Sequence, residues 1–399
     1  MLGQRDFSFE DRLCHPSTTD WIQCLPSELT LQILSYLSFN ELLAFGATSR
    51  LNNEYHIVSL KYLRLGVFEK RVHSIISLLQ AGWATPDLSG GIWGETEDDH
   101  NYTVSVVQQQ HKSMKQRSSR KQSTSTVDSK KRSPRTRGGP QSQEQMVRLQ
   151  NQVFSKVLRR YGPSLRELEF MAYDLNLEGA TALGTKCQQT LRYLALRFEH
   201  PHIRDGLIRP STWLHPAPGS EAWNLLIGLG RFKDTGLRTL ETLILERAGI
   251  TSWQLMMLVK KNPDLTTLKL RTCRGARPEF LHWLGGMNSD FDDEADVQYS
   301  GPAPGAKLKV LWLEHCHRLL VHSIEEQDSL QDETYDRGFE WIRGLKKLQS
   351  LSFSESASIP SELIDKANKM TWKIPEVILP YSTYEDANGN VIAVDPRWK

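Results

Sequence analysis

The second half of this 399-residue chain repeats one spacing, Leu-x-x-Leu-x-Leu, with Phe allowed at the last position. Alternate side chains of a strand point to the same face, so the last two leucines of each copy would share one face of a strand. The intervals between successive copies are 26, 49, 25, 43 and 40 residues. The sequence therefore predicts a row of short strands with insertions between them. The six copies begin at Leu165, Leu191, Leu240, Leu265, Leu308 and Leu348.

Helical segments follow several of these strands. Residues 251–263 begin with Thr251, a favourable cap, continue with apolar residues at helical spacing and end at Pro263. Similar patterns occur at 221–229, Pro278–Leu284 and 339–345. A strand followed by a helix, repeated every 20 to 29 residues or so, is typical of leucine-rich repeats. We therefore expect an α/β fold in which residues 146–399 form an irregular leucine-rich-repeat solenoid with a closing C-terminal segment.

The side chains between the repeat leucines would lie on the opposite face of the strands. Stacked repeats present such a face for binding, and exposed aromatic and Arg side chains are common anchors of interfaces. The alternative is that these residues are solvated strand residues with no partner. The candidate residues for binding a protein target are Tyr193, Arg197, Ile244, Glu246, Lys269, Arg271, Trp312 and Glu314.

Cys273 and Cys316 each lie three residues after the last leucine of a copy. Leucine-rich repeats favour Asn or Cys at that position, which predicts buried structural thiols rather than a metal site beside His315 and His317. No phosphate-binding loop, hydrolase elbow or zincin motif occurs, so we expect no enzymatic activity, no cofactor and no metal. An odd cysteine count without a secretory signal pattern favours an intracellular protein, in the cytoplasm and/or nucleus. Without 18 consecutive apolar residues, we expect no membrane partner.

The N-terminal part reads as three short helices. The first, from Leu25, carries Pro26 in its first turn, where a missing N–H costs little. Its apolar residues cover an arc of roughly 220° at 100° per residue, too wide for a helix with one wet side. A module of this size needs a partner surface to cover both sides. A capping box at Ser38-Phe-Asn-Glu41 opens the second helix, and Ser49-Arg50 precedes the third. The first helix carries Leu29, Ile33, Tyr36 and Leu37 on one face and Leu31 and Leu34 well round from it.

The segments Leu25-Pro-Ser-Glu-Leu, Ile33-Leu-Ser-Tyr-Leu and Thr48-Ser-Arg-Leu-Asn resemble the F-box motif, as it occurs in fungal F-box proteins. The resemblance implies docking to a Skp-type adaptor and, through it, to a cullin scaffold. Together with the repeats it implies a substrate-recognition subunit of an SCF-type ubiquitin ligase, with an unknown protein substrate. The alternative is a helical hairpin that merely packs on the repeats. The resemblance assigns adaptor binding to Leu25, Pro26, Leu29, Ile33, Leu37, Leu42, Leu43, Ser49 and Arg50.

Composition divides the chain further. We expect disorder at 1–20, the F-box-like helical module at 21–85, a disordered basic linker at 86–145 and the repeats beyond it. Residues 101–150 hold 11 Lys and Arg against 2 Asp and Glu, a net of +9. Two alternative functions stay open: an interaction scaffold without a ubiquitination role, and a nuclear nucleic-acid-associated protein that uses the basic linker. Basic residues without interleaved aromatic residues do not favour specific RNA recognition, so a protein partner is preferred over a nucleic-acid partner.

Overall fold

The computed structural model describes residues 25–37, 39–68, 102–106, 143–198, 214–287, 302–316, 318–320, 335–356, 359–380, 382–385 and 391–394. The helices are α1 Ser27–Leu34, α2 Phe39–Gly46, α3 Arg50–Ser59, α4 Gln143–Tyr161, α5 Leu177–Lys186, α6 Glu221–Ile227, α7 Ser252–Lys260, α8 Pro278–Leu284 and α9 Ser361–Ala367. The strands are β1 Tyr62–Phe68, β2 Tyr102–Val106, β3 Glu167–Ala172, β4 Tyr193–Phe198, β5 Thr242–Glu246, β6 Thr267–Arg271, β7 Val310–Glu314, β8 Ser350–Ser352, β9 Glu376–Ile378, β10 Ser382–Glu385 and β11 Val391–Val394.

Nine strands form one open sheet in the order β2-β1-β3-β4-β5-β6-β7-β8-β9, and every neighbouring pair is parallel. Parallel neighbours require a crossover, and from β3 to β9 helical segments between the strands supply it. Strands β10 and β11, in the expected closing C-terminal segment, form a separate antiparallel pair, and the residues that join them lie outside the described part of the chain. Across the described part of the chain, no helix has both the length and the apolarity needed to cross a membrane.

Each of the six leucine spacings falls on a strand, from β3 to β8. Their central leucines are direct neighbours across the sheet and are almost completely buried. This continuous leucine row is the core of the sheet, and aromatic residues from the covering segments pack against it. The row consists of Leu168, Leu194, Leu243, Leu268, Leu311 and Leu351.

The expected helices are largely present. The capping box of α7 forms, with the Thr251 side chain accepting from Gln254 N and the Gln254 side chain accepting from Thr251 N. Helices α6 and α8 also lie where the patterns placed them, whereas the 339–345 segment forms a 3-10 helix at Glu340–Gly344. Only five residues form this turn, and such short segments often close with the tighter hydrogen bonding of a 3-10 helix.

The connection between the N-terminal helices and the sheet differs from our expectation. We assigned 21–85 to a helical module joined to the repeats by a disordered basic linker. Strand β1 lies within that module, begins three residues after α3 ends, and pairs directly with β3. Strand β2 lies within the segment assigned to the linker, most of which is outside the described residues, as are residues 1–20. The module therefore joins the sheet through β1. The short apolar run at 62–68 did not reveal this, because such runs suit either a helix or a strand.

Candidate interaction surfaces

Helix α1 is apolar on two sides, and the residues that the structure describes cover only one of them. Thr30 and Leu34 are buried, and Leu34 belongs to the main core. On the other side the side chains of Leu29 and Ile33 are 47% and 48% exposed. Tyr36, just after the helix, is 77% exposed. These three residues follow the i, i+4, i+7 spacing of one helix face. We call them the α1 face. Large apolar side chains grouped in this way mark an interaction site.

The other residues proposed for adaptor binding differ in accessibility. Leu43 is partly exposed, Leu25 and Leu37 are half-buried, and Pro26 and Arg50 are exposed. Leu42 is only 4% exposed and packs in the core, so its predicted contact with an adaptor is not supported by this geometry. The F-box resemblance placed Leu42 and Leu43 together, but on a helix adjacent residues point about 100° apart, and α3 covers only one of them. Ser49 caps α3, accepting a hydrogen bond of 3.1 Å from Asn52 N.

Helix α3 is tied to α4, and this contact orients the α1 face relative to the sheet. His56 of α3 is buried, and its Nε2 lies 3.0 Å from the hydroxyl of Tyr161. The Arg160 guanidinium donates to the Asn53 side chain over 2.6 Å, and the Ser164 hydroxyl donates to the Ile57 carbonyl over 2.8 Å. We call these contacts the α3–α4 junction. Together with β1 they connect the N-terminal helices and the sheet through packed, hydrogen-bonded structure.

The comparison with protein families bears on this N-terminal segment. Residues 22–54 match the F-box-like family. The match includes α1, α2 and the first half of α3, and therefore contains the α1 face. F-box domains generally bind Skp-type adaptors. No curated protein matches the chain. The family match thus covers the α1 face, while the sheet must be interpreted from its own residues.

On the sheet face opposite the leucines, the predicted target-binding residues do lie together. Arg197, Glu246, Arg271 and Glu314 are successive neighbours across β4 to β7, so charges of opposite sign alternate along one row. Arg271 is the centre of this row. Its guanidinium lies 3.0 Å from a carboxylate oxygen of Glu355, 3.9 Å from Glu314 and 4.0 Å from Glu246. The pairing holds the side chains in place. Glu246 and Arg271 are half-buried, whereas Arg197 and Glu314 are buried and are less accessible than we expected of target-binding residues.

The neighbouring row contains Ile244, Lys269 and Trp312, and it is more enclosed than we expected. Trp312 is 6% exposed, and its indole Nε1 donates to the Ser350 hydroxyl over 3.0 Å. The Lys269 ammonium lies 3.4 Å from the centre of the Trp312 ring, and burial lowers the pKa of Lys269 to about 8. The expectation that Trp312 is an exposed anchor was therefore wrong, because the neighbouring strands bring Lys269 onto its ring. Ile244 and Lys269 are buried as well, whereas Tyr193 remains half-buried.

The sequence analysis missed two residues of this polar face, Tyr62 and Arg64, because β1 was not identified as a strand. The alternation Tyr-Leu-Arg-Leu at 62–65 was the available signal, since it places both polar side chains on one face of a strand. Arg64 Nε lies 3.4 Å from a carboxylate oxygen of Glu169. Strand β1 thus extends the polar face as far as the F-box-like segment.

The two cysteines occupy equivalent positions beside the strands. The Cys273 thiol donates to the Leu245 carbonyl over 3.2 Å, and the Cys316 thiol donates to the Leu270 carbonyl over 3.6 Å. Ser356, at the same place in the next copy, donates to the Leu313 carbonyl over 3.0 Å. Burial raises the pKa of Cys316 to about 12, so this thiol keeps its proton at neutral pH. Among the described residues, no cluster of three His, Cys, Asp or Glu suits a metal ion.

Proposed function

We propose that this chain is the substrate-recognition subunit of an SCF-type ubiquitin ligase. The F-box-like segment docks onto a Skp-type adaptor and, through it, onto a cullin scaffold, in the cytoplasm and/or nucleus. The observation that carries the proposal is the α1 face, because Leu29, Ile33 and Tyr36 are exposed on a helix inside the matched residues. Covering such side chains removes apolar area from water at about 25 cal/mol per Å², which is a direct driving force for docking.

In this proposal the parallel sheet is an array of leucine-rich repeats that holds a protein target. Three features support it. Strands β3 to β9 are neighbours in the order in which they occur along the chain. Their leucines stack in register, and three residues after the last apolar position of three copies, Cys273, Cys316 and Ser356 each donate a hydrogen bond to the preceding strand. Local units that contact mainly their neighbours are the defining property of a repeat array.

In this proposal the α3–α4 junction and β1 fix the orientation of the F-box-like segment relative to the sheet. Because the F-box-like segment continues directly into the sheet, a target on the polar face would be held at one orientation relative to the adaptor. Fixed orientation raises the effective concentration of a target lysine near the transferring enzyme. We propose no transfer chemistry for this chain itself; its contribution is positioning.

The test is binding of purified Skp-type adaptor to the full chain, to Leu29→Asp with Ile33→Asp, and to a control, Leu177→Asp with Met370→Asp. All four positions are exposed and apolar, and the control pair lies outside the F-box-like segment. We expect the first pair to weaken binding by more than tenfold, because each Asp must be desolvated against an apolar partner. The control should bind like the wild type.

Two other outcomes would change the interpretation. A well-folded wild-type chain that does not bind the adaptor would refute the proposal. Adaptor binding without ubiquitination of any captured target in a reconstituted ligase would favour an interaction scaffold. Circular dichroism of all variants separates loss of binding from loss of folding.

A further inference from the structure

A cavity of about 170 Å³ lies on the polar face, near the β2 edge of the sheet. Its polar walls come from three adjacent strands, β1, β3 and β4. Tyr62, Glu167 and Tyr193 are direct neighbours across these strands, so the Glu167 carboxylate lies between two tyrosines. With strands about 4.8 Å apart, the two tyrosine backbones are separated by roughly 10 Å, with Glu167 of β3 between them.

The two carboxylates of the cavity differ in their partners. Glu169 is well satisfied: it accepts a hydrogen bond of 2.9 Å from the Tyr193 hydroxyl and lies 3.4 Å from Arg64 and 3.8 Å from Arg197. The Glu167 side chain forms neither a hydrogen bond nor an ion pair with any residue that the structure describes. Partial burial, opposed by Arg64 and reinforced by Glu169, raises the pKa of Glu167. An added positive charge beside Glu167 would stabilise its ionised form.

Size and chemistry limit what the cavity accepts. It is smaller than the 300 to 1,000 Å³ or so of a typical small-molecule site, and it suits a single side chain. Tyrosine faces attract cations, and a carboxylate selects the same charge. Arginine fits best, because its planar guanidinium stacks between aromatic rings and pairs with a carboxylate through two parallel hydrogen bonds.

We propose that this cavity binds an arginine side chain of the protein target, held between Tyr62 and Tyr193 and paired with Glu167. The inference rests on the proposed function for the identity of the ligand as a target protein. Because Tyr62 follows α3 by three residues, the site would hold the target close to the adaptor end of the chain.

The experiment measures, by ligand-observed NMR, binding of three compounds to the full chain. They are Nα-acetyl-arginine amide, its neutral analogue Nα-acetyl-citrulline amide, and Nα-acetyl-lysine amide. Variants are Glu167→Gln and a control, Glu241→Gln. Glu241 is an exposed carboxylate just before β5, paired with Arg192 over 3.7 Å and outside the cavity. We expect the arginine compound to bind at millimolar concentration and Glu167→Gln to weaken it about tenfold, the usual effect of losing one charge-assisted hydrogen bond. The wild-type chain should bind the citrulline compound at least as weakly as Glu167→Gln binds the arginine compound.

Binding by the arginine compound should also decrease at high salt and as the pH falls through the raised pKa of Glu167. Equal binding of arginine and citrulline, or equal affinity of wild type and Glu167→Gln, would overturn the inference. Tighter binding of the lysine compound would overturn the choice of arginine. Adaptor binding by Glu167→Gln is measured in parallel. If adaptor binding persists while the cavity does not bind the arginine compound, the proposed function stands without this site.

Discussion

His56 is the residue that most clearly links the F-box-like segment to the sheet. Its Nδ1 lies 2.8 Å from the Asn53 carbonyl, which can only accept, so Nδ1 carries the proton and Nε2 accepts from the Tyr161 hydroxyl. The two rings meet edge to face, with centroids 5.6 Å apart. A Cβ on Gly46 would lie 2.3 Å from the ring, so glycine is required there for close approach. The neutral imidazole is therefore built into the α3–α4 junction.

The titration of His56 predicts a stability change with pH. Burial, reinforced by Arg160 and opposed by the Asn53 contact, lowers its pKa below the ordinary 6.5. The unfolded chain then binds a proton at a higher pH than the folded chain does. The stabilisation of the folded chain by neutral His56 is complete above about pH 6.5 and is lost as the pH falls toward the lowered pKa. We expect the free energy of unfolding, measured with urea from pH 7.5 to 5, to fall more steeply in the wild type than in His56→Gln. Parallel curves would contradict this.

Removing the partner of His56 predicts a stability loss at constant pH. Tyr161→Phe deletes the hydroxyl that donates to Nε2 and leaves a buried acceptor unpaired. We expect a loss of about 1 to 3 kcal/mol in the free energy of unfolding, measured by urea denaturation at pH 7.5. Tyr36→Phe is the control, because that hydroxyl belongs to an exposed residue, and its effect should stay within about 0.5 kcal/mol. Equal effects of the two changes would refute the hydrogen bond.

Among the elements, α3 begins with a residue that stabilises the helix, although the sequence assigned that residue to the adaptor contact. The F-box resemblance assigned Ser49 to the adaptor surface. In the structure its backbone is extended and its side chain accepts from Asn52 N, as expected of a helix cap. The resemblance singled out Ser49, and the local geometry explains this residue as the cap of α3. Helix α1 shows the reverse, since Leu29 and Ile33 remain about half exposed on that face.

The two roles of Ser49 can be separated by substitution. Ser49→Ala removes the cap and should cost about 1 kcal/mol of stability, whereas Ser49→Asp preserves an acceptor and should stay close to wild type. We expect the affinity for a Skp-type adaptor, measured below the unfolding transition, to be unchanged in both. If the two variants bound the adaptor equally weakly while differing in stability, Ser49 would be a contact residue instead.

For the whole molecule, the decisive feature is continuity between the F-box-like segment and the sheet. Strand β1 pairs with β3, so residues more than a hundred positions apart in the chain are direct neighbours. The Lys61 carbonyl accepts from both Arg166 N and Glu167 N, at 2.8 and 3.0 Å. Along the chain, the basic stretch lies between β2 and α4.

This arrangement predicts that the basic stretch is dispensable for folding and for adaptor binding. Residues 107–142 can be replaced by about 12 Gly and Ser residues, which reach roughly 40 Å when extended. We expect the unfolding midpoint to shift by less than about 3 °C and adaptor affinity to be unchanged. Leu63→Asp, which places a charge in the buried side of β1, should in contrast destabilise the chain severely. A large loss in the replacement variant would show that the stretch contributes to the fold.

The sequence by itself determined the features that depend on local periodicity. The leucine spacings identified β3 to β8, Thr251 and Pro263 bounded α7, and Cys273 and Cys316 marked equivalent buried positions. The apolar arc of α1 also showed that one surface would need a partner. Such signals are encoded within one element, because a strand repeats every two residues and a helix every 3.6.

Only the tertiary structure decided which of these residues are accessible. It placed Leu34 inward and Ile33 outward, buried Leu42, and brought Lys269 onto the ring of Trp312. It also set β1 beside β3, which created the cavity around Glu167. The physical reason is that side-chain exposure and strand pairing depend on elements distant in sequence. Their contacts are selected by the packing of the whole chain rather than by any local pattern.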